Sequence, residues 1–307
     1  MDMKMLAKFW PLIYSIIREF WAITEPYIED AAVKYGVPIE LYLYSELGLE
    51  NFSVETFQKR DPFSNPEQFQ KMFARFDVKG WILPLPNENY QASRKAFEGV
   101  SKIIQAGDEQ LLNFDLMTDS ELIRALSLVK QIIAENLVSS EPPEKWAIIK
   151  RFRTANGQSP LIVQIRESFM DLFAYRDDSH LSVARPHFGQ AGIIWGVLTS
   201  IWKGSVVTAE QMAETMSFRG YDIENYEVAI QAAVEIGWVE TADTPSSYRV
   251  TQLGRDIREQ VERLTDEHFY RPWTVLEQAE LDELYELLTK LREQLSVYRK
   301  GARDGRL

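Results

Sequence analysis

Cysteine is absent from the 307-residue chain. Disulfide frameworks, thiolate nucleophiles and Cys-based zinc sites are thereby excluded. Histidine is scarce: His180, His187 and His268 are the three present, and none stands in an HExxH or comparable ligand spacing. Asp177, Asp178 and His180 lie close together in "YRDDSHL", a composition that suits a metal or polar-ligand site. The preferred reading is a helix-to-helix turn with Asp or Ser capping, and "ARPH", ending at His187, reads as a linker. Phosphate loops are missing, since "GQAG" (189–192) lacks the GxGxxG spacing and the preceding strand. No GxSxG elbow is present. An enzyme, a cofactor and a metal are therefore not expected. Positive charge is also short, with 34 Lys and Arg against 46 Asp and Glu, a net charge of -12. Such a surface repels nucleic acid and anionic membrane unless basic residues are concentrated locally. No run approaches the roughly 18 apolar residues of a membrane span. The N-terminal "FWPLIYSIIREFW" is interrupted by Arg18 and Glu19 and reads as an amphipathic helix of a cytoplasmic protein.

What is present is apolar content of 45% with 26% charged residues, enough for a sizeable core and, by length, two domains. The chain also repeats itself. "KGWILPLPNENYQASRKAFEG" near Lys79 returns as "IGWVETADTPSSYRVTQLGRD": a Gly-Trp pair closes an apolar helical pattern, a turn follows, and a Tyr precedes Ser93 or Thr251. Upstream, "PLIYSIIREFWAI" faces "PLIVQIRESFMDLF", and "YGVPIELYLYSEL" faces "FGQAGIIWGVLTSI". Downstream, "DSELIRALSLVKQIIAENL" faces "QAELDELYELLTKLREQL". The pairs keep one order and drift only by loop-sized amounts, so duplication is expected.

Each copy reads helix, short helix, longer helix, β-hairpin, long helix. In the second copy Thr208 opens "TAEQMAETM", Asp222 caps a helix reaching Ile236, "WVET" and "YRVT" flank a turn containing Pro245, and Thr251 caps the last helix. In the first, "SVETFQKR" is the short helix, and Asn65 with Pro66 at the first helical position opens the longer one. Its hairpin, Leu83-Pro84-Leu85-Pro86, is expected to be stunted because each Pro lacks a ladder donor. "TAEQMAETMSFRGYDIENYEVAIQAAVEIGWVE" and "YRVTQLGRDIREQVERL" carry a resemblance to the MarR family of dimeric winged-helix regulators. The second half also looks like a group of bacterial proteins with two winged-helix copies in one chain, through "YRDDSHL" and "YRPWTVL".

The resemblance implies a mainly α fold with small β-hairpin wings: two tandem winged helix-turn-helix units forming an intramolecular pseudo-dimer. The first unit spans 1–138, a linker 139–158, the second unit 159–300 and a basic tail 301–307. It also implies double-stranded DNA as a partner and a small apolar or aromatic effector, in a monomeric pseudo-dimer or a homodimer. Local charge favours the first copy for DNA, because Lys71, Arg75 and Lys79 lie in its third-helix region, whereas Asp222, Glu224, Glu227 and Glu235 crowd the second. The expected DNA-contacting residues are Lys59, Arg60, Gln68, Lys71, Arg75, Arg219 and Arg249. An effector pocket, if one exists, is expected among Trp21, Phe173, Arg176, His180 and Trp195, although the preferred reading of the rings is core between the halves. A ligand- or protein-binding protein that no longer touches DNA is the alternative.

Overall fold

The structure, a computed structural model, describes residues 3–46, 48–204, 207–244 and 246–303. Residues 304–307 of the expected basic tail, and Pro245 of the second hairpin turn, lie outside them. In chain order the helices begin with α1 (Met3–Leu6), α2 (Phe9–Tyr35), α3 (Ile39–Ser45), α4 (Val54–Arg60) and α5 (Pro66–Val78). The hairpin β1 (Ile82–Leu85) and β2 (Asn89–Ala92) leads into α6 (Arg94–Asp108), α7 (Asp119–Val138) and α8 (Trp146–Lys150). Then come α9 (Leu161–Phe188), α10 (Gly192–Trp202), α11 (Ala209–Thr215) and α12 (Ile223–Glu235). The hairpin β3 (Val239–Thr241) and β4 (Tyr248–Val250) precedes α13 (Gln252–Tyr270) and α14 (Gln278–Arg303).

The repeated Gly-Trp pairs have a common cause. After α5 and α12 the chain turns left-handed at Gly80 (φ 67) and Gly237 (φ 83), which a side chain would resist. The Trp81 amide then donates to the Phe76 carbonyl at 2.8 Å and the Trp238 amide to Ala233 at 2.9 Å. This is the Schellman closure, which satisfies carbonyls that a helix end leaves orphaned. N-caps fall where the side chains allow: Asn65 on Glu67, Asp222 on Asn225, Ser53 on Thr56 and Thr208 on Gln211. The residue just before α4 or α11 also pairs with its hairpin. Phe52 and Tyr90 exchange amide bonds of 2.8 and 2.7 Å, and Tyr248 donates to Val207 at 3.0 Å.

Three expectations are corrected. The first hairpin is not stunted: its strands have four residues each against three in the second. Asn87 and Glu88 adopt left-handed φ of 60 and 57, as a two-residue hairpin turn requires, and a two-stranded sheet has outer edges where Pro costs nothing. "YRDDSHL" and "ARPH" are neither turn nor linker, for both lie inside α9. Asp178 is buried there and accepts the Ala147 and Ile148 amides at 2.8 and 3.0 Å, so it does cap a helix, but the distant α8. The stretch 139–158 is no loose connector either, since Ala147 and Ile148 are fully buried and Arg151 is locked by ion pairs.

Two compact units divide the chain, and each draws on both sequential halves rather than coinciding with 1–138 and 159–300. The first comprises Met1–Glu50, Ala92–Ser179 and Asp266–Leu307. In it α2 packs on α6 and α14. Its core joins Phe9, Ile13, Ile16 and Phe20 of α2 to Leu281, Leu284, Leu288, Leu291 and Leu295, a stripe at alternating three- and four-residue steps on α14. The second unit comprises Asn51–Gln91 and His180–Thr265. Here Trp195, Leu198, Met212, Ile230 and Trp238 form the core on which Phe63 rests.

Candidate nucleic-acid interface and buried cavity

Within the second unit, α5 and α12 are the helices that a helix-turn-helix would present to a groove. Their entry points are joined. The Asn65 amide donates to the Arg219 carbonyl at 2.8 Å, the Asn65 side chain to Gly220 at 3.0 Å, and the Gln68 side-chain amide to the Phe218 carbonyl at 2.7 Å. The Arg219 guanidinium lies over the Phe63 ring at 5.2 Å. Gln68 and Arg219, both expected on DNA, are thus engaged between α5 and the turn that leads into α12.

The remaining basic residues are dispersed. Lys71, Arg75 and Lys79 are exposed on α5, Lys71 with Glu67 at 3.4 Å. Lys59 approaches Glu55 at 3.8 Å, its carbonyl accepts a bond from Arg185, and the adjoining Arg60 is half-buried at the end of α4. Arg249 is tied across the hairpin to Glu240 at 2.8 Å, a contact that raises its pKa. The outward face of α12 shows Glu224 and Glu227 between Ile223 and Val228, the latter 66% exposed, and Glu235 at the helix end, with Phe218 before the helix 67% exposed. An apolar face rimmed by carboxylates gives a phosphate backbone nothing to bind.

The five residues expected to line an effector pocket fall into two groups, Trp21, Phe173 and Arg176 in the first unit and His180 and Trp195 in the second. In the first unit Trp21 and Phe173 meet edge to face at 5.9 Å, and Arg176 bonds Asp266 at 2.7 Å while its guanidinium covers Trp10 at 4.5 Å. In the second unit His180 Nδ1 is 3.3 Å from the Thr265 hydroxyl, and Trp195 is core, stacked with His187 and with the buried Arg258 guanidinium at 4.8 Å. Of the five, Trp21 lines a cavity. This cavity of about 20 Å³ is also walled by Phe20, Tyr42, Glu46, Arg151, Arg166 and Glu167.

Sequence reasoning missed this cavity and its ion network. Arg151 pairs with Glu46 at 2.9 Å, Glu167 at 2.7 Å and Asp171 at 2.9 Å; Arg166 pairs with Asp108 at 2.7 Å. Burial pushes the Tyr42 phenol up to about 12 and raises the Asp108 carboxyl despite its Arg166 partner. The signal was available in "PLIVQIRESFMDLF", where Arg166 and Glu167 interrupt an apolar helix facing the core. Charges at such positions are rare unless paired.

The order of a short capped helix, a longer helix and a two-stranded hairpin is that of a helix-turn-helix domain. A model of the helix-turn-helix family matches residues 174–299, so that part carries a helix-turn-helix domain, and a regulatory role on DNA is supported at that general level. No curated protein and no solved structure matches the chain. No helix among the described residues is long and apolar enough to cross a membrane, and none of their His, Asp and Glu residues group as a metal site would.

Proposed function

We propose that the protein is a MarR-like regulator of the cytoplasm, two winged-helix copies fused in one chain as a pseudo-dimer, that touches DNA through a single reader helix, α5. The observation that carries this reading is the set of bonds from Asn65 and Gln68 to Phe218, Arg219 and Gly220. A two-headed reader places its recognition helices in successive major grooves roughly 34 Å apart. A helix α5 whose start is hydrogen-bonded to the turn that leads into α12 holds the two N-terminal ends too close to span that distance. What is left for phosphate is the exposed Lys71, Arg75 and Lys79 face of α5. The effector is proposed to act through the first unit, where the cavity lies.

Binding to random-sequence duplex DNA, followed as salt is raised, tests the proposal. Three phosphate contacts predict a log–log slope of about -3, against about -5 to -9 for six to ten contacts. Lys71→Glu should reduce both affinity and slope. A steep slope would mean that both readers engage and overturns the single-helix reading, whereas no binding at low salt removes DNA altogether. The second reading, a partner-binding protein without DNA, is favoured by the apolar and acidic outward face of α12 and would then stand.

A further inference from the structure

The turn that precedes α9 carries chemistry that neither DNA nor an effector uses. Asn156 is followed by Gly157, and of the eight asparagines in the chain it alone has glycine next to it. The backbone nitrogen of a following residue can attack an asparagine side-chain amide. That nitrogen must first give its proton to solvent, so an amide held in a hydrogen bond resists the attack, and a side chain on the following residue obstructs it where glycine does not.

Elsewhere in the chain one obstacle or the other stands. The Phe52 amide after Asn51 donates to Tyr90 at 2.8 Å, and the Tyr90 amide after Asn89 returns the bond at 2.7 Å. The Phe114 amide after Asn113 donates to Leu111 at 3.1 Å, and the Tyr226 amide after Asn225 to Asp222 at 3.2 Å. Asn136 is fully buried inside α7. Asn65 precedes Pro66, which has no amide proton, and Asn87 precedes the side chain of Glu88. At Asn156 both obstacles are missing. Asn156 and Gly157 are exposed, and the Gly157 amide donates no hydrogen bond among the described residues. The Gln158 amide donates to Asn156 Oδ1 at 2.8 Å. That bond folds the side chain forward over the Gly157 peptide and places a donor on the oxygen where negative charge develops as the carbonyl carbon is attacked.

We propose that Asn156 is a site of spontaneous deamidation in the folded protein, and that its conversion loosens the start of α9. The Gly157 nitrogen, its proton given to solvent, bonds to Asn156 Cγ; the Cγ–Nδ2 bond breaks and Nδ2 leaves as ammonia with a proton from water. Water then opens the five-membered imide at either carbonyl carbon, leaving aspartate or isoaspartate at position 156. Isoaspartate routes the main chain through Cβ, and the turn then loses its closing bonds, Ser159 amide to Asn156 carbonyl at 3.0 Å and Asn156 amide to Ser159 Oγ at 3.0 Å. The Ser159 carbonyl accepts from Gln164 of α9 at 2.7 Å, and the Gln164 oxygen accepts from Lys130 of α7 at 3.0 Å. Through these bonds the turn holds α9 beside α7. The inference is independent of the α5 reading.

The test is to age the full chain in mildly alkaline buffer and follow the peptide around each asparagine by mass spectrometry, with chromatography separating the aspartyl and isoaspartyl forms. Asn156 should convert roughly tenfold faster than any other asparagine, and to both forms, because glycine leaves the attack open. Folded and urea-unfolded chains should convert Asn156 at comparable rates, whereas the other asparagines should be faster when unfolded. Gly157→Ala, whose added Cβ meets nothing within 4 Å, should fold as the parent chain does and slow the conversion. The isoaspartyl fraction should melt below the fresh chain, and Asn156→Asp, which adds the charge on an ordinary backbone, should not. An Asn156 that survives in the folded chain while converting in urea overturns the proposal, as does an unchanged rate in Gly157→Ala. An isoaspartyl fraction that melts with the fresh chain overturns the link to α9.

Discussion

Two charged residues illustrate how single side chains hold the first unit, and the pH response expected of one of them has a definite sign. Glu121, three residues into α7, accepts a 2.6 Å bond from Lys290 on α14 and closes a capping box with Thr118. Those bonds, Lys290 first, lower its carboxyl from near 4.5 to about 2. A folded-state value below the unfolded one gives stability that is complete above pH 4.5 and lost as pH falls towards 2. Glu121→Gln should therefore be less stable than the parent chain at neutral pH, and urea midpoints should converge near pH 2. Arg151, 1% exposed, is the opposite kind of case. Arg151→Ala leaves Glu167 and Asp171, with the half-buried Glu46, without their shared cation, and the expected loss is ~3–5 kcal/mol. Arg151→Lys keeps the charge but loses the planar fork, so its loss in the same urea titration should be smaller. Apolar patterning places Arg166 and Glu167 on a core-facing helix; nothing local identifies Arg151, in a Pro-flanked stretch, as their partner.

At the scale of elements, caps and closures were legible because they depend on residues a few positions apart. Asn65, Asp222, Thr208, Gly80 and Gly237 act where the pattern placed them. The continuity of α9 through "YRDDSHL" was not legible, for Asp178 satisfies amides thirty residues away instead of its own backbone. The joint between α5 and the turn before α12 was equally hidden. Gly220 sits there at φ 73, and a Cβ on it would fall 1.9 Å from Gln68 Oε1. Gly220→Ala should cost about 1 kcal/mol or more from backbone strain alone. It should also open the joint, read as faster hydrogen exchange at the Asn65 amide, which donates to Arg219. Unchanged Asn65 protection would show that the joint does not depend on this close approach.

At the scale of the whole molecule, the compact units cross the sequential halves, and folding should respect the units. Each unit is built from separate segments of both halves, and α2 alone would expose the face that α14 covers. Fragments 1–158 and 159–307, made separately, should show weak, non-cooperative thermal transitions by circular dichroism. Mixing them should restore a single cooperative one; cooperative unfolding of either fragment alone would contradict this. Composition, helix periods, caps and the doubled Gly-Trp closure are short-range consequences of side-chain chemistry, so the amino-acid sequence by itself determined a mainly helical, cysteine-free chain with two hairpins and an acidic α12. Which surfaces stay exposed, and where a water-sized cavity lies, depend on contacts between residues more than a hundred positions apart. Hydrogen bonds such as Gln68 to Phe218 and ion pairs such as Arg151 to Glu46 form only once those segments are brought together, and so the tertiary structure alone decided them.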